Sequence, residues 1–136
     1  MDWVSRTQFG VAAVHEIKIW RPGCSGEIGK VYRILYAWGY GADDCRAFAY
    51  WEPGQPVSVR GGNVKPLALS RPGKAMILIT DFGNGGDLTV TPDLKAMGLK
   101  SAFTAKDAQI GASLPLAGNK VTFPLARRDF RMIALE

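Results

Sequence analysis

The sequence predicts a fold dominated by β-strands: an antiparallel β-sandwich of the Greek-key or jelly-roll kind, with an N-terminal strand and one α-helix. Three observations lead to this prediction. From residue 45 onward, short runs of β-branched and aromatic residues recur about every ten residues. Clusters of Gly, Pro and Asn, which favour turns, separate these runs. The first 41 residues instead show one alternating segment followed by one segment of helical periodicity.

The N-terminal part predicts a strand and then a helix. In residues 11–20, VAAVHEIKIW, the side chains alternate after Val14 with the period of a strand. From Gly26 the spacing changes to that of one apolar helical face. This face comprises Ile28, Val31, Tyr32, Leu35 and Trp38. Gly39 and Gly41 then provide residues that end a helix.

Eight strands are predicted in the remainder of the chain, at residues 45–51, 56–60, 64–70, 75–82, 87–92, 101–105, 120–126 and 130–135. The turns at Pro72-Gly73 and at Gly83 to Gly86 are typical of hairpins between antiparallel neighbours. The last strand carries apolar residues on both faces, which predicts that it is covered on both sides.

Length and composition indicate one globular domain, residues 1–136, with an N-terminal segment 1–44 and a sandwich 45–136. The 136 residues are 47% hydrophobic and 21% charged, close to the average of globular proteins. No apolar run is long enough for a spanning helix, so we expect no membrane contact. The start MDWVSRTQFG does not resemble a signal peptide, so we expect a cytoplasmic protein, or a secreted one only as part of a longer exported chain.

The formal net charge of +5 raises the question of a nucleic-acid partner. The basic residues are dispersed, however, and the one close group, Arg127, Arg128 and Arg131, is interrupted by Asp129. We therefore expect no nucleic-acid partner.

The two cysteines, Cys24 and Cys45, are compatible with a disulfide in a secreted protein and with two reduced thiols in a cytosolic one. Neither lies in a zinc-ligand spacing, and the chain has one histidine. We expect neither a metal nor a cofactor.

Four aromatic residues, Trp38, Tyr40, Tyr50 and Trp51, are the candidate ligand-binding residues, because planar rings stack on the faces of sugars. Trp51-Glu52 leads into a Pro-Gly turn, where a ring would be exposed. Packing in the core or at an interface is the alternative for such residues.

Other candidate sites have weaker support. His15-Glu16 combines residue types used in acid-base chemistry, but neighbours on a strand point to opposite faces. Asp43-Asp44 is compatible with a carboxylate site or with an ordinary turn. The glycine-rich run at residues 83–86 precedes a strand and lacks the ending of a phosphate-binding loop, and the sequence contains no G-x-S-x-G motif.

The C-terminal two-thirds resembles the C-terminal β-sandwich that follows the (β/α)-barrel in many glycoside hydrolases. The matching features are the strand Met76 to Phe82 with its glycine turn, and the closing strand Asp129 to Leu135. Between them lie further matching positions, namely Asp93-Leu94, Gly98-Leu99, Ala105, Asp107, Gly111 and Leu114.

This resemblance implies that the predicted N-terminal strand and helix are the last βα unit of such a barrel. It also implies that the catalytic carboxylates of the barrel are absent from the chain, so no catalytic residue is assigned. We therefore expect a non-catalytic accessory or structural module that acts by packing or by weak carbohydrate contact.

Two alternatives remain open, a stand-alone protein that binds carbohydrate or another small ligand, and a small hydrolase that uses His15. We also expect a homodimer through residues 9–38, because a strand edge and an apolar helix face would otherwise be uncovered.

Overall fold

The computed structural model describes residues 3–18 and 25–136. Within them, two helices precede nine strands. The helices are α1 (Trp3–Val14) and α2 (Ser25–Trp38). The strands are β1 (Arg46–Ala49), β2 (Val57–Arg60), β3 (Val64–Arg71), β4 (Lys74–Asp81), β5 (Gly86–Pro92), β6 (Ala105–Asp107), β7 (Leu116–Ala117), β8 (Lys120–Leu125) and β9 (Phe130–Leu135).

The strands form two antiparallel sheets. The five-stranded sheet has the order β1-β3-β4-β9-β6, and the four-stranded sheet has the order β2-β5-β8-β7. Residues of both sheets form one buried core, in which Ile77 and Ile79 of β4 lie with Leu88 of β5 and Val121 and Phe123 of β8. The predicted antiparallel β-sandwich is confirmed.

A second core lies between the helices and the outer face of the five-stranded sheet. Phe9 of α1 and Leu35 of α2 pack in it with Met76, Leu78 and Met132 of the sheet. The five-stranded sheet is therefore buried on both faces, which explains why β4 is apolar without alternation. The prediction that the last strand is covered on both sides is confirmed, since β9 contributes to both cores.

The predicted N-terminal strand is wrong: residues 3–14 form α1, and residues 19 and 20 of that segment lie outside the described residues. The buried face of α1 has helical spacing, but it includes Ser5 and Gly10 and so lacks a continuous apolar pattern. Gly10 is needed there, because a Cβ atom at this position would lie 2.7 Å from Thr80 Oγ1 and 2.9 Å from Phe130 Cβ. The small residue lets α1 approach the sheet closely.

The predicted helix is confirmed as α2, and both helices end in the same hydrogen-bonded motif. At the end of α2, Gly39 has φ 113° and the amide of Tyr40 donates to the carbonyl of Leu35. At the end of α1, the corresponding bond runs from Ile17 to Ala12, and the left-handed position is occupied by Glu16 with φ 56°. A non-glycine residue at such a position costs about 1–2 kcal/mol.

The turn at Pro72-Gly73 joins β3 to β4 as a hairpin, as predicted. The glycine run at residues 83–86 is not a hairpin, because β4 and β5 belong to different sheets and the run carries the chain from one sheet to the other. The strand predicted at 101–105 begins instead at Ala105, and β7 was not predicted.

Candidate functional site

Three side chains form an aromatic cluster at the end of α1. The imidazole of His15 stacks on the indole of Trp51, with ring centroids 5.4 Å apart and planes inclined by 15°. The ring of Tyr50 meets both edge-on, at 4.9 Å from Trp51 and 5.5 Å from His15. We call these three residues the Trp51 cluster. It joins the helix layer to the turn that follows β1.

Hydrogen bonds fix the orientation of His15. Its Nδ1 lies 2.7 Å from the carbonyl oxygen of Val11, which can only accept, so Nδ1 carries the proton. Its Nε2 lies 3.0 Å from the Tyr50 hydroxyl, which donates to it when the imidazole is neutral. Both ring nitrogens are therefore used within the protein, and His15 serves as the support beneath Trp51.

The turn that carries Trp51 is tied to β1. Glu52 accepts a hydrogen bond from the amide of Ala49 at 3.3 Å, and its own amide donates to the Ala49 carbonyl at 3.1 Å. Gln55 donates to the carbonyl of Phe48 at 2.9 Å. Trp51 is 53% exposed, which leaves the face of its indole opposite His15 open to solvent.

The region beside the Trp51 cluster is a shallow, mixed surface. The ammonium of Lys65 lies 5.2 Å from the centre of the Tyr50 ring. A pocket of about 230 Å³ runs from Tyr50 and Lys65 past Gln55 to Val57, Val59 and Val64. This pocket adjoins the Trp51 cluster through Tyr50 and is not lined by Trp51 itself.

A second aromatic feature is a ladder of three tyrosines along α2 and its end. Tyr32 and Tyr36 stack with centroids 6.2 Å apart, and Tyr36 and Tyr40 with centroids 6.1 Å apart. The spacing of four residues between these tyrosines is visible in the sequence, but only Tyr40 was among the predicted site residues. Residues 16–18, which follow α1, contact this ladder, and Lys18 Nζ lies 5.2 Å from the centre of the Tyr36 ring.

The electrostatics of the ladder favour protonated groups. Burial, together with the hydrogen bond to Glu16 Oε1 at 3.1 Å, raises the pKa of the Tyr40 hydroxyl well above its ordinary value. The hydrogen bond between Lys18 and Tyr36 raises the pKa of the Lys18 ammonium. Tyr40 is thus a neutral donor to Glu16 at physiological pH and has a structural role.

The structure divides the four predicted site residues. Tyr50 and Trp51 lie together. Tyr40 is connected to the end of α1 by its hydrogen bond to Glu16. Trp38 lies apart from the other three and is 7% exposed, in the core at the end of α2. The carbonyl of Trp38 accepts hydrogen bonds from Arg71 at 2.9 Å and from Lys74 at 2.8 Å. The ring of Trp38 is therefore not part of the exposed aromatic surface.

The acidic pair Asp43-Asp44 lies in the turn after α2. Asp44 forms a two-point ion pair with Arg71, with Nε to Oδ1 at 2.8 Å and Nη2 to Oδ2 at 3.1 Å. This guanidinium lowers the pKa of the Asp44 carboxyl. Asp43 is exposed. The ion pair between Asp44 and Arg71 thus holds the end of α2 to the β3–β4 hairpin.

The buried carboxylates have structural partners. Asp107 accepts hydrogen bonds from the amides of Gln109 and Ile110, and its other oxygen lies 3.4 Å from Arg131. Asp81 Oδ2 accepts from the amide of Arg128 at 2.9 Å, whereas its buried Oδ1 has no hydrogen-bond partner among the described residues. Among residues 3–18 and 25–136, no three His, Cys, Asp or Glu side chains are grouped so as to hold a metal ion.

Cys45 is a free, partly buried thiol, whereas Cys24 lies outside the described residues. Neither described helix has the length and apolar character needed to cross a bilayer.

Comparison with known proteins gives a likeness in structure only. No protein-family model and no curated protein sequence matches the chain. An α-amylase from Anoxybacillus superposes on 88% of this chain and 24% of its own, with TM-score 0.55 and 8% identity.

Two other solved structures are also similar. A maltogenic α-amylase from Thermotoga neapolitana matches 88% of this chain and 28% of its own, with TM-score 0.49 and 10% identity. A GH27 β-L-arabinopyranosidase from Geobacillus stearothermophilus matches 57% of this chain and 18% of its own, with TM-score 0.45 and 16% identity.

The superposition on the Anoxybacillus enzyme shows that this fold occurs within a glycoside hydrolase. The chain spans between 18% and 28% of the length of the solved structures it matches. The chain thus shares its fold with part of the Anoxybacillus enzyme. The predicted barrel-type βα unit at the N-terminus is wrong, because α1 occupies the place of its strand.

Proposed function

We propose that this chain is a non-catalytic β-sandwich module of the glycoside-hydrolase C-terminal type, with a weak carbohydrate contact at Trp51. The observation that carries the proposal is the exposed indole of Trp51, stacked on His15 and held in a hydrogen-bonded turn. The occurrence of the fold within an α-amylase supports the assignment to a module.

The geometry of Trp51 suits a sugar ring. The face of a pyranose that carries axial C–H bonds is apolar and flat, and it packs against an aromatic ring of similar size. Holding that ring in place beforehand reduces the entropy lost on binding. His15 beneath the indole and Glu52 beside it provide this support. One aromatic face gives one sugar subsite, which is consistent with weak binding.

The carboxylates support a non-catalytic role. Hydrolysis of a glycosidic bond by the common mechanisms uses two carboxyl groups that face each other across the substrate. In the described residues, Asp44 is paired with Arg71, and Asp107 accepts hydrogen bonds from the amides of residues 109 and 110. One oxygen of Asp81 accepts from the Arg128 amide. His15, the basis of the hydrolase alternative, already uses both ring nitrogens.

A titration of tryptophan fluorescence with oligosaccharides tests this proposal. We expect a saturable change for the wild type that is lost in Trp51→Ala. Trp3→Ala is the matched control, because Trp3 is 59% exposed but lies at the opposite end of α1. A response that persists in Trp51→Ala, or turnover of aryl glycosides by the purified chain, would contradict the proposal.

The expected homodimer through residues 9–38 remains a proposal. Val11, Ile17 and Tyr36 are exposed apolar side chains in this range, at 37%, 58% and 45%. Light scattering at micromolar concentration tests it, and a monomer would rule it out.

The prediction of one domain over residues 1–136 also remains to be tested. A single folding unit predicts one unfolding transition in calorimetry.

A further inference from the structure

A groove of about 310 Å³ lies under the C-terminal half of α2, away from the Trp51 cluster. Its walls come from α2, from β4 and β9, and from β6 with the loop that follows. Ile34 and Trp38 line it on the helix side, and Met76, Ala108 and Ala134 line it on the sheet side. Its volume is at the lower end of the range of small-molecule sites.

The sequence explains why space remains here. The residues of α2 that face the sheet are large, namely Ile28, Val31, Leu35 and Trp38. They hold this helix away from the sheet, in contrast to α1 with its Gly10. Opposite the last turn of α2 lie Ala134 of β9 and Ala108 of the loop after β6, which are too short to fill the gap.

The groove also carries charge. Lys74 and Lys106 both line it, against the exposed carboxylate of Glu136. Asp107 lines it as well, but this carboxylate is occupied by two backbone amides and lies beside Arg131. The Lys74 ammonium donates to the Trp38 carbonyl at 2.8 Å, which leaves two of its three N–H groups for another acceptor.

Trp38, which lines this groove, also has a buried donor. Its indole Nε1 is buried and has no hydrogen-bond partner among the described residues. Buried polar groups in native proteins are nearly always paired, so this group calls for an acceptor. The groove thus combines an apolar floor with two ammonium groups.

We propose that this groove binds a small molecule with an apolar body and one anionic head, such as an aromatic carboxylate or sulfonate. The apolar body lies against Met76, Ala134 and Trp38. The anionic head lies between Lys74 and Lys106 and accepts hydrogen bonds from their ammonium groups. This site is distinct from the sugar contact at Trp51 and does not depend on it.

The test uses the dye 1-anilinonaphthalene-8-sulfonate as the probe. We expect a saturable rise in its fluorescence with the folded wild type, and weaker binding of the uncharged analogue N-phenyl-1-naphthylamine. Lys106→Gln should weaken dye binding about two- to fivefold, because it removes an exposed charge. Ala134→Leu should abolish binding by filling the floor.

The variants are chosen so that folding and binding can be separated. Lys106 is exposed, and urea unfolding of Lys106→Gln should match that of the wild type. Trp51→Ala should leave dye binding unchanged. Absence of dye binding, or binding that is unaffected by Ala134→Leu and by Lys106→Gln, would overturn the proposal. Equal affinity for the uncharged analogue would overturn the requirement for an anionic head.

Discussion

The imidazole of His15 lies flat beneath the indole of Trp51, with their centroids 5.4 Å apart. His15 directly follows α1, and Trp51 lies in the turn after β1, so this contact joins the helix layer to the sandwich. Because His15 occupies one face of the indole, a ligand has access to the opposite face alone. The proposed sugar contact therefore depends on a residue that itself need not touch the sugar.

Replacement of His15 tests this supporting role. His15→Ala removes the stacking contact and two hydrogen bonds, and we expect it to lower the free energy of unfolding by about 1–2 kcal/mol. It should also weaken sugar binding, since Trp51 is no longer held in place. Urea unfolding and the fluorescence titration measure the two effects.

Ile110→Ala is the control for the His15 variant. Ile110 is 74% exposed, so its removal should change stability by less than about 0.5 kcal/mol. If His15→Ala has full stability and unchanged sugar affinity, His15 does not support Trp51.

Gly10 and Gly29 give opposite predictions on the two helices. Gly10→Ala places a Cβ atom 2.7 Å from Thr80 Oγ1 and 2.9 Å from Phe130 Cβ, and should destabilise the protein by about 1–3 kcal/mol. At Gly29 the nearest atom to an added Cβ is Arg33 Nη1 at 3.5 Å, an ordinary contact. Gly29→Ala should therefore stabilise by about 0.5–1 kcal/mol. Urea unfolding of both variants checks this, and a neutral Gly10→Ala would contradict the close approach of α1.

Glu16 allows the cost of its left-handed backbone to be measured. Glu16→Ala loses the hydrogen bond from Tyr40 and keeps the strained conformation, whereas Glu16→Gly loses the same bond and relieves the strain. We expect the glycine variant to be more stable than the alanine variant by about 1 kcal/mol. Equal stabilities in thermal or urea unfolding would show that the end of α1 carries no such strain.

The ion pair between Asp44 and Arg71 predicts a pH dependence. Arg71 depresses the pKa of Asp44 in the folded state. The resulting stabilisation is therefore present above the unfolded pKa of about 3.9 and is lost as the pH falls through the lower folded value. Asp44→Asn should be less stable than the wild type at pH 7, and the two should converge in acid.

Urea midpoints across this pH range measure the difference. Both partners are accessible to solvent, so the effect should be small and should shrink in high salt. Asp43→Asn is the control, because Asp43 is exposed and is not part of the pair. A difference between the wild type and Asp44→Asn that persists unchanged in acid would contradict this account.

The sandwich could be predicted from the sequence because its signals are local. Val121, Phe123 and Leu125 alternate in the sequence and are buried on one face, and Pro72-Gly73 forms the expected hairpin. The glycine run at residues 83–86 gives no indication of which sheet follows it. Its passage between the sheets depends on the pairing of β4 with β9 and of β5 with β8.

The errors at the N-terminus have a physical cause. Alternation after Val14 covers few residues, and His15 and Glu16 form the turn that ends α1. The sequence shows no apolar helical pattern for α1, because Ser5 and Gly10 lie on its buried face. Tertiary packing against Thr80 and Phe130, rather than a local apolar pattern, makes that face suitable for burial.

The site was predictable in part. Tyr50 and Trp51 are adjacent in the sequence, and the turn that exposes Trp51 could be recognised. The burial of Trp38 follows from its helical spacing with Val31 and Leu35. The contact of His15 with Trp51 brings together residues that are distant in the chain, so no local pattern reveals it.

A glycan-array screen of the purified chain is the strongest test of the carbohydrate contact that we propose for Trp51. Trp51→Ala and Trp3→Ala serve as the variant and its control. We predict selective binding to a subset of glycans by the wild type and by Trp3→Ala, and its loss in Trp51→Ala. A folded protein that binds no glycan, or binding retained by Trp51→Ala, would contradict the claim.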